Sequence, residues 1–148
     1  MLRVSKLTDY ATVVMTVLAD EPAEVFSAQA LAERAHLELP TVSKLLKQLA
    51  QAELVESFRG VNGGYRLARA PERISLADIL VAMEGPFGMT ECSAHQGACG
   101  HEPHCGVRGN WRAVSEVIET TLRQMTLADM RRPFAPRRRI IPSQLATA

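Results

Sequence analysis

A chain of 148 residues with 47% apolar and 22% charged side chains can build one good core, or one small domain with an appendage, and is short for two independent domains. No apolar run approaches the ~18 residues that span a bilayer, and Lys6, Asp9 and Asp20 interrupt the N-terminal stretch where a secretion signal would stay apolar, so the expected setting is the cytoplasm, with no membrane partner. The net charge of +1 hides an uneven distribution: residues 40–70 carry Lys44, Lys47, Arg59, Arg66 and Arg69 against Glu53 and Glu56, residues 71–130 carry four bases and eight acids, and residues 131–148 carry five arginines and no acid. A near-neutral total therefore does not exclude a polyanionic partner, which would meet the first half or the tail.

Leu7, Tyr10, Ala11, Val14 and Leu18 recur at helical spacing, with Ser5 or Thr8 placed to cap a first helix. After the breaker EPAEV, Ser27 precedes AQALAERAHL, a short second helix with Leu31 and Ala35 on one face. Pro40 then stands at the first turn of a third helix, whose Val42, Leu45, Leu46 and Leu49 share one side while Thr41, Ser43, Lys44, Lys47 and Gln48 share the other. The period changes over LVESFRGVNGGYRLAR, where Leu54, Val55, Phe58, Tyr65 and Leu67 flank a glycine-rich turn in the pattern of a β-hairpin.

Three short helices followed by a hairpin predict a mostly α fold with a small β-hairpin, a winged helix-turn-helix. Ser75 and Asp78 form a capping box for a fourth helix, which Gly85 and Pro86 end, and the winged domain is assigned residues 1–84. Residues 85–106 read as a ligand-bearing loop. Beyond them Trp111, Val114, Val117, Ile118, Leu122 and Met125 mark a long amphipathic helix over 107–130, with an apolar stripe larger than one small domain needs, as in a helix that pairs with its copy. Residues 131–148, with three prolines and no usable period, read as a basic flexible tail.

In a helix-turn-helix the second helix of the motif enters the major groove while the first lies across the backbone. Here the entering helix starts at Pro40 and directs Thr41, Ser43, Lys44 and Lys47 toward base edges or phosphates, while the wing carries Arg59, Gly63, Tyr65 and Arg66 to the flanking backbone or minor groove. Taken singly, Lys44, Lys47 or Arg59 is better explained as solvated surface. The combined order of capped helix, short link, proline-started helix and glycine-turned hairpin is what points to double-stranded DNA.

The segment Glu91–Gly106 holds all three cysteines and three of the four histidines. Six residues separate Cys92 from Cys99 and five separate Cys99 from Cys105, with Gly97, Gly100 and Gly106 between and beside them. In a reducing compartment such a group points to metal or redox chemistry, and soft thiolates suit zinc or an iron-sulfur cluster. Zinc favours a tighter CxxC knuckle, which this chain lacks, so the spacing leans toward a cluster. The fourth position would fall to His95, His101, His104, Glu91, Glu102 or a residue elsewhere. An enzyme with a cysteine nucleophile is not favoured, because no phosphate-cradling loop or partner constellation accompanies the thiols.

The stretches LRVSKLTDYA, PTVSKLLKQL and FRGVNGGYRLAR, together with the three-cysteine loop, resemble the winged-helix iron-sulfur regulators of the IscR and NsrR type, from the first residues to about Met130. The loop with its GVRGNW continuation is most similar to regulators of SUF-type cluster assembly. The resemblance implies a homodimer with a long dimerisation helix, an iron-sulfur cluster held by Cys92, Cys99 and Cys105, with 2Fe-2S ahead of 4Fe-4S, and repression of cluster-assembly genes according to cluster status. A nitric oxide or redox sensor of the same build is one alternative and a zinc-stabilised DNA-binding module another. IscR-type members place a histidine ligand three residues after the third cysteine, where this chain has Arg108, so that ligand does not carry over. NsrR-type members take an aspartate from the partner's first helix. Asp9 matches that position and is the first candidate for the fourth ligand; His101 is the second.

Overall fold

The computed structural model describes residues 3–132. Helix α1 (Lys6–Asp20) starts at Ser5, whose hydroxyl accepts the Thr8 N–H at 3.2 Å. Ala11, Val14, Met15 and Leu18 are buried as its inner face, whereas Leu7, expected in that stripe, is exposed and Thr8 is fully buried. Thr8 is tolerated inside because its hydroxyl donates to Glu84 Oε1 at 2.6 Å, so the buried oxygen is not left unpaired.

Helix α2 (Ala28–Ala35) is capped by Ser27, which accepts the Ala30 N–H. It closes at His36, in the left-handed conformation with φ 53°, and this tight corner starts the turn into α3 (Leu39–Gln51), with Pro40 in the first turn. Val42, Leu45, Leu46 and Leu49 of α3 are all fully buried. They pack with Met15, Leu18, Leu31, Leu54, Ile74, Ile79 and Leu127 in one core formed where α1, α2 and α3 meet one another. Strands β1 (Val55–Phe58) and β2 (Gly64–Leu67) pair antiparallel with Val55 opposite Leu67 and Phe58 opposite Gly64. Phe26, between α1 and α2, adds a bridge to the hairpin: Tyr65 N–H donates to the Phe26 carbonyl at 2.7 Å and the reverse bond is 2.9 Å.

Helix α4 (Leu76–Glu84) carries the expected Ser75 and Asp78 capping box and ends at Gly85, which has φ 87°. It packs on α1, on α3 and on α6 (Arg108–Gln124). Between α4 and α6 the chain is not bare loop: α5 (Glu91–Ala94) is one helical turn bearing Cys92, and a 3-10 turn over Glu102–His104 leads to Cys105.

The single helix expected over 107–130 is two. Met125 leaves the helical conformation, Thr126 and Asp129 form a new capping box, and α7 (Leu127–Met130) turns back into the winged domain. The reason is pairing and burial. Leu127 N–H donates to the Ile74 carbonyl and Leu76 N–H to the Met125 carbonyl, both at 2.8 Å, and the Leu127 side chain is fully enclosed. Arg131, assigned from sequence to the flexible tail, is held by Asp20, with Nε at 3.0 Å and Nη2 at 2.9 Å from the same carboxylate oxygen. The remainder of that tail, from residue 133, lies outside the described residues.

Candidate functional site

The outer face of α3 presents Ser43, Lys44 and Lys47 to solvent, with Thr41 half-buried beside them. Among the described residues neither lysine has an ion-pair partner, and the helix start at Glu38 lacks a side-chain cap. The buried face is what holds this arrangement: four enclosed aliphatic side chains fix the rotation of α3, so the polar residues between them must face outward.

The wing divides the expected contacts. Arg59 is exposed and without an ion-pair partner among the described residues, and Val61 at the tip is wholly exposed. Arg66, expected at the nucleic acid, is engaged within the hairpin: Nη2 lies 2.8 Å from Glu56 Oε2, and the guanidinium stands 5.0 Å from the Phe58 ring centre. Glu56 and Arg66 face each other in the strand register, so their pairing follows from the hairpin itself. Tyr65 is partly buried against the core. Gly63 serves the turn, since a Cβ there would lie 2.4 Å from the Phe58 carbonyl oxygen.

Cys92, Cys99 and Cys105 are all free thiols of intermediate burial. Thr90 Oγ1 lies 3.3 Å from Cys92 Sγ. The donor set suits a soft-metal group: three free thiols on one short segment, none of them in a disulfide. Among the described residues no three His, Cys, Asp or Glu side chains are gathered closely enough to hold a single metal ion. Of the three glycines set among the cysteines, Gly97 has a positive φ, 80°, whereas Gly100 and Gly106 do not. Gly88 is packed instead, because a Cβ there would lie 2.3 Å from the backbone nitrogen of Ala94, and it seats α5 against the segment leaving α4.

His95, His101 and His104 are exposed, the last two with ring centres 6.3 Å apart. Glu102, one of the open ligand candidates, is already occupied. Its side chain is 8% exposed, it pairs with Arg108 Nη2, and it accepts the Gly97 N–H at 2.7 Å. Arg108 Nε is buried with no hydrogen-bond partner among the described residues. Neither that ion pair nor the packed Gly88 is readable from the sequence; Glu102 and Arg108 lie six apart, from a 3-10 turn to the start of α6, a spacing that carries no signal by periodicity.

Asp9 is exposed in the first turn of α1. The helix start is tied to the entry of the cysteine segment through Glu84, the last residue of α4, whose Oε1 accepts from Thr8 Oγ1 and, at 3.1 Å, from the Ser5 N–H. These bonds hold the Glu84 carboxyl below the ordinary glutamate range, the Thr8 hydroxyl being the largest cause. Arg3, Val4, Glu84 and Gly85–Met89 together line a shallow groove of about 440 Å³ with Leu80, Ile118 and Leu122. On α6 the buried residue is Ser115, which accepts the Met89 N–H and donates to the Trp111 carbonyl. Trp111, Val114 and Val117 remain exposed, Val117 at 62%.

Residues 4–133 match the Rrf2 family, described as an iron-dependent transcriptional regulator. The HTH-type transcriptional regulator NsrR of Bacillus subtilis is 29% identical over 131 residues, 87% of this chain and 90% of that one. Among solved structures, T. potens IscR aligns with a TM-score of 0.65 at 33% identity, covering 87% of this chain and 85% of that one. CymR, the global cysteine regulator of B. subtilis, aligns at 0.68 with 27% identity, covering 88% and 97%. These relatives are regulators of transcription and not enzymes, and the winged-helix architecture is common to them and to this chain. No helix among the described residues is long and apolar enough to cross a membrane.

Proposed function

Since the chain belongs to the Rrf2 family of transcriptional regulators, DNA-binding regulation is its function class, and we propose that it is a homodimeric repressor of iron-sulfur cluster assembly genes of the SUF type that senses cluster status. The observation that carries this reading is topological. The three free thiols occupy the one segment that joins α4, seated on the reading helix α3, to α6, which bears an exposed apolar stripe.

Cys92, Cys99 and Cys105 would hold the cluster, 2Fe-2S before 4Fe-4S, and Asp9 of the partner is the first candidate for the fourth position, with His101 second. Asp9 is exposed in the first turn of α1, as a ligand offered to a second copy must be. When bound, the group supplies sulfur and iron bonds whose presence or absence changes the shape of the loop. Lys44, Lys47 and Arg59 neutralise phosphates, Thr41 and Ser43 meet base edges, and Gly63 shapes the wing. Tyr65 and Arg66 chiefly build the wing. The stripe of Trp111, Val114 and Val117 pairs with its copy, so a shift of the loop alters the separation of two reading helices that must match half-sites about 34 Å apart.

Anaerobic purification with visible spectroscopy and iron and sulfide counts tests the reading, together with binding of holo and apo forms to a duplex from the chain's own promoter region. A coloured protein whose two forms bind differently is expected. A colourless, zinc-loaded protein, or equal binding by both forms, overturns it. Replacing Asp9 and His101 separately identifies the fourth ligand by the variant whose spectrum changes.

A further inference from the structure

The family-like histidine position after the third cysteine is occupied by a residue that cannot ligate: a guanidinium has five donors and no acceptor. Its surroundings show what it does instead. The Glu102 carboxylate is almost wholly buried, and both of its oxygens are engaged, Oε1 with Arg108 Nη2 and Oε2 with the Gly97 N–H. The backbone of the same residue reaches both neighbouring ligand positions: Glu102 N–H donates to the Cys99 carbonyl at 3.0 Å, and the Glu102 carbonyl accepts the Cys105 N–H at 3.4 Å. Gly97, Cys99, Cys105 and the first residue of α6 are therefore all joined through one glutamate. A buried carboxylate is tolerated only when paired and hydrogen-bonded, so either partner's loss opens the arrangement.

We propose that Glu102 and Arg108 form a clasp that sets Cys99 and Cys105 relative to each other before any metal group arrives and ties their loop to the start of α6. Both are positioning residues and neither is a ligand. Charge pairing carries the role, with Arg108 substituting an indirect hold on the loop for a direct bond from a ligand. The buried Nε–H, without an acceptor among the described residues, is the donor that a sulfur brought into the loop would satisfy. The proposed cluster gives the clasp its purpose, while the pairing itself is present without a cluster.

The test uses the full chain, cluster-free and reduced, as parent, E102Q, R108Q, R108K and the double E102Q/R108Q. Alkylation of each cysteine by iodoacetamide is followed by mass spectrometry, alongside amide exchange over residues 95–107. Cys99 and Cys105 should react faster in E102Q and R108Q by about tenfold, the factor by which a charged hydrogen bond shifts a local opening. Cys92, held beside Thr90 on α5, should keep its parent rate. R108K should stay close to the parent because the charge is kept, and the double variant should be no faster than either single one. Parent-like rates in both single variants, or acceleration of Cys92 to match the others, would overturn the clasp. Reconstituted samples separate the two readings: a chain that takes up no cluster refutes the proposed function while the thiol rates still decide the clasp.

Discussion

Neutralising Lys44 and Lys47 together should reveal whether α3 meets phosphates. Both side chains are exposed and neither has an ion-pair partner among the described residues, so the K44A/K47A variant breaks no ion pair and should unfold within about 0.5 kcal/mol of the parent. Three residues apart on a helix, they stand about 4.5 Å apart along the axis and share one face. A dimer loses four positive charges at the interface. If each neutralises one phosphate, the slope of log affinity against log salt falls by roughly 3.6, and affinity at 0.1 M salt falls by roughly three to four orders of magnitude. Fluorescence anisotropy with a promoter duplex at several salt concentrations measures both. Arg66 is the internal contrast: because Glu56 already neutralises it, R66A should change the slope by less than half as much. An unchanged slope in K44A/K47A would refute the assignment of α3 as the phosphate-reading face.

The bonds that hold Glu84 below the ordinary glutamate range contribute stability above the unfolded carboxyl's range, and that stability is lost as pH falls through the lowered folded value. Melting temperatures across the acid range should therefore fall less steeply for E84Q than for the parent. Leu127 is fully buried and locks α7 to the core, so L127A should lower unfolding free energy by about 2–5 kcal/mol in a denaturant titration, an outcome that would not follow if residues 125–130 merely continued α6. Val117 is 62% exposed on α6, and V117E should leave the fold intact while shifting sedimentation from dimer to monomer; an unchanged dimer would place the pairing surface elsewhere.

Much of the fold was legible because its signals are local. The Ser27 and Ser75 caps, Pro40 in the first turn of α3 and the aliphatic spacing of Val42, Leu45, Leu46 and Leu49 all act within a few residues, and the structure shows each in place. The cysteines could be singled out for the same reason: three soft donors in a short stretch are visible without any packing. The fate of their neighbours was not. Whether Glu102 is a free carboxylate or a buried one depends on where the chain brings Arg108, and whether Arg66 reaches outward depends on Glu56 across the hairpin.

The same division holds at the chain's later turns. A 3.6-residue period extends an apolar stripe through Met125, yet α6 stops at Gln124 because Ile74 and Leu76 offer backbone partners and the core has room for Leu127. Leu7 has the right spacing to be inside and Thr8 the wrong chemistry, yet the hydroxyl is buried, because Glu84 arrives from the end of α4 to satisfy it. Sequence by itself determined helix starts, the buried face of α3, the hairpin and the grouping of the three cysteines, since each rests on periodicity or side-chain chemistry within one segment. Tertiary structure alone decided which charges are paired, which polar groups are enclosed and where α6 ends, because those outcomes depend on groups distant in the chain meeting where water is excluded.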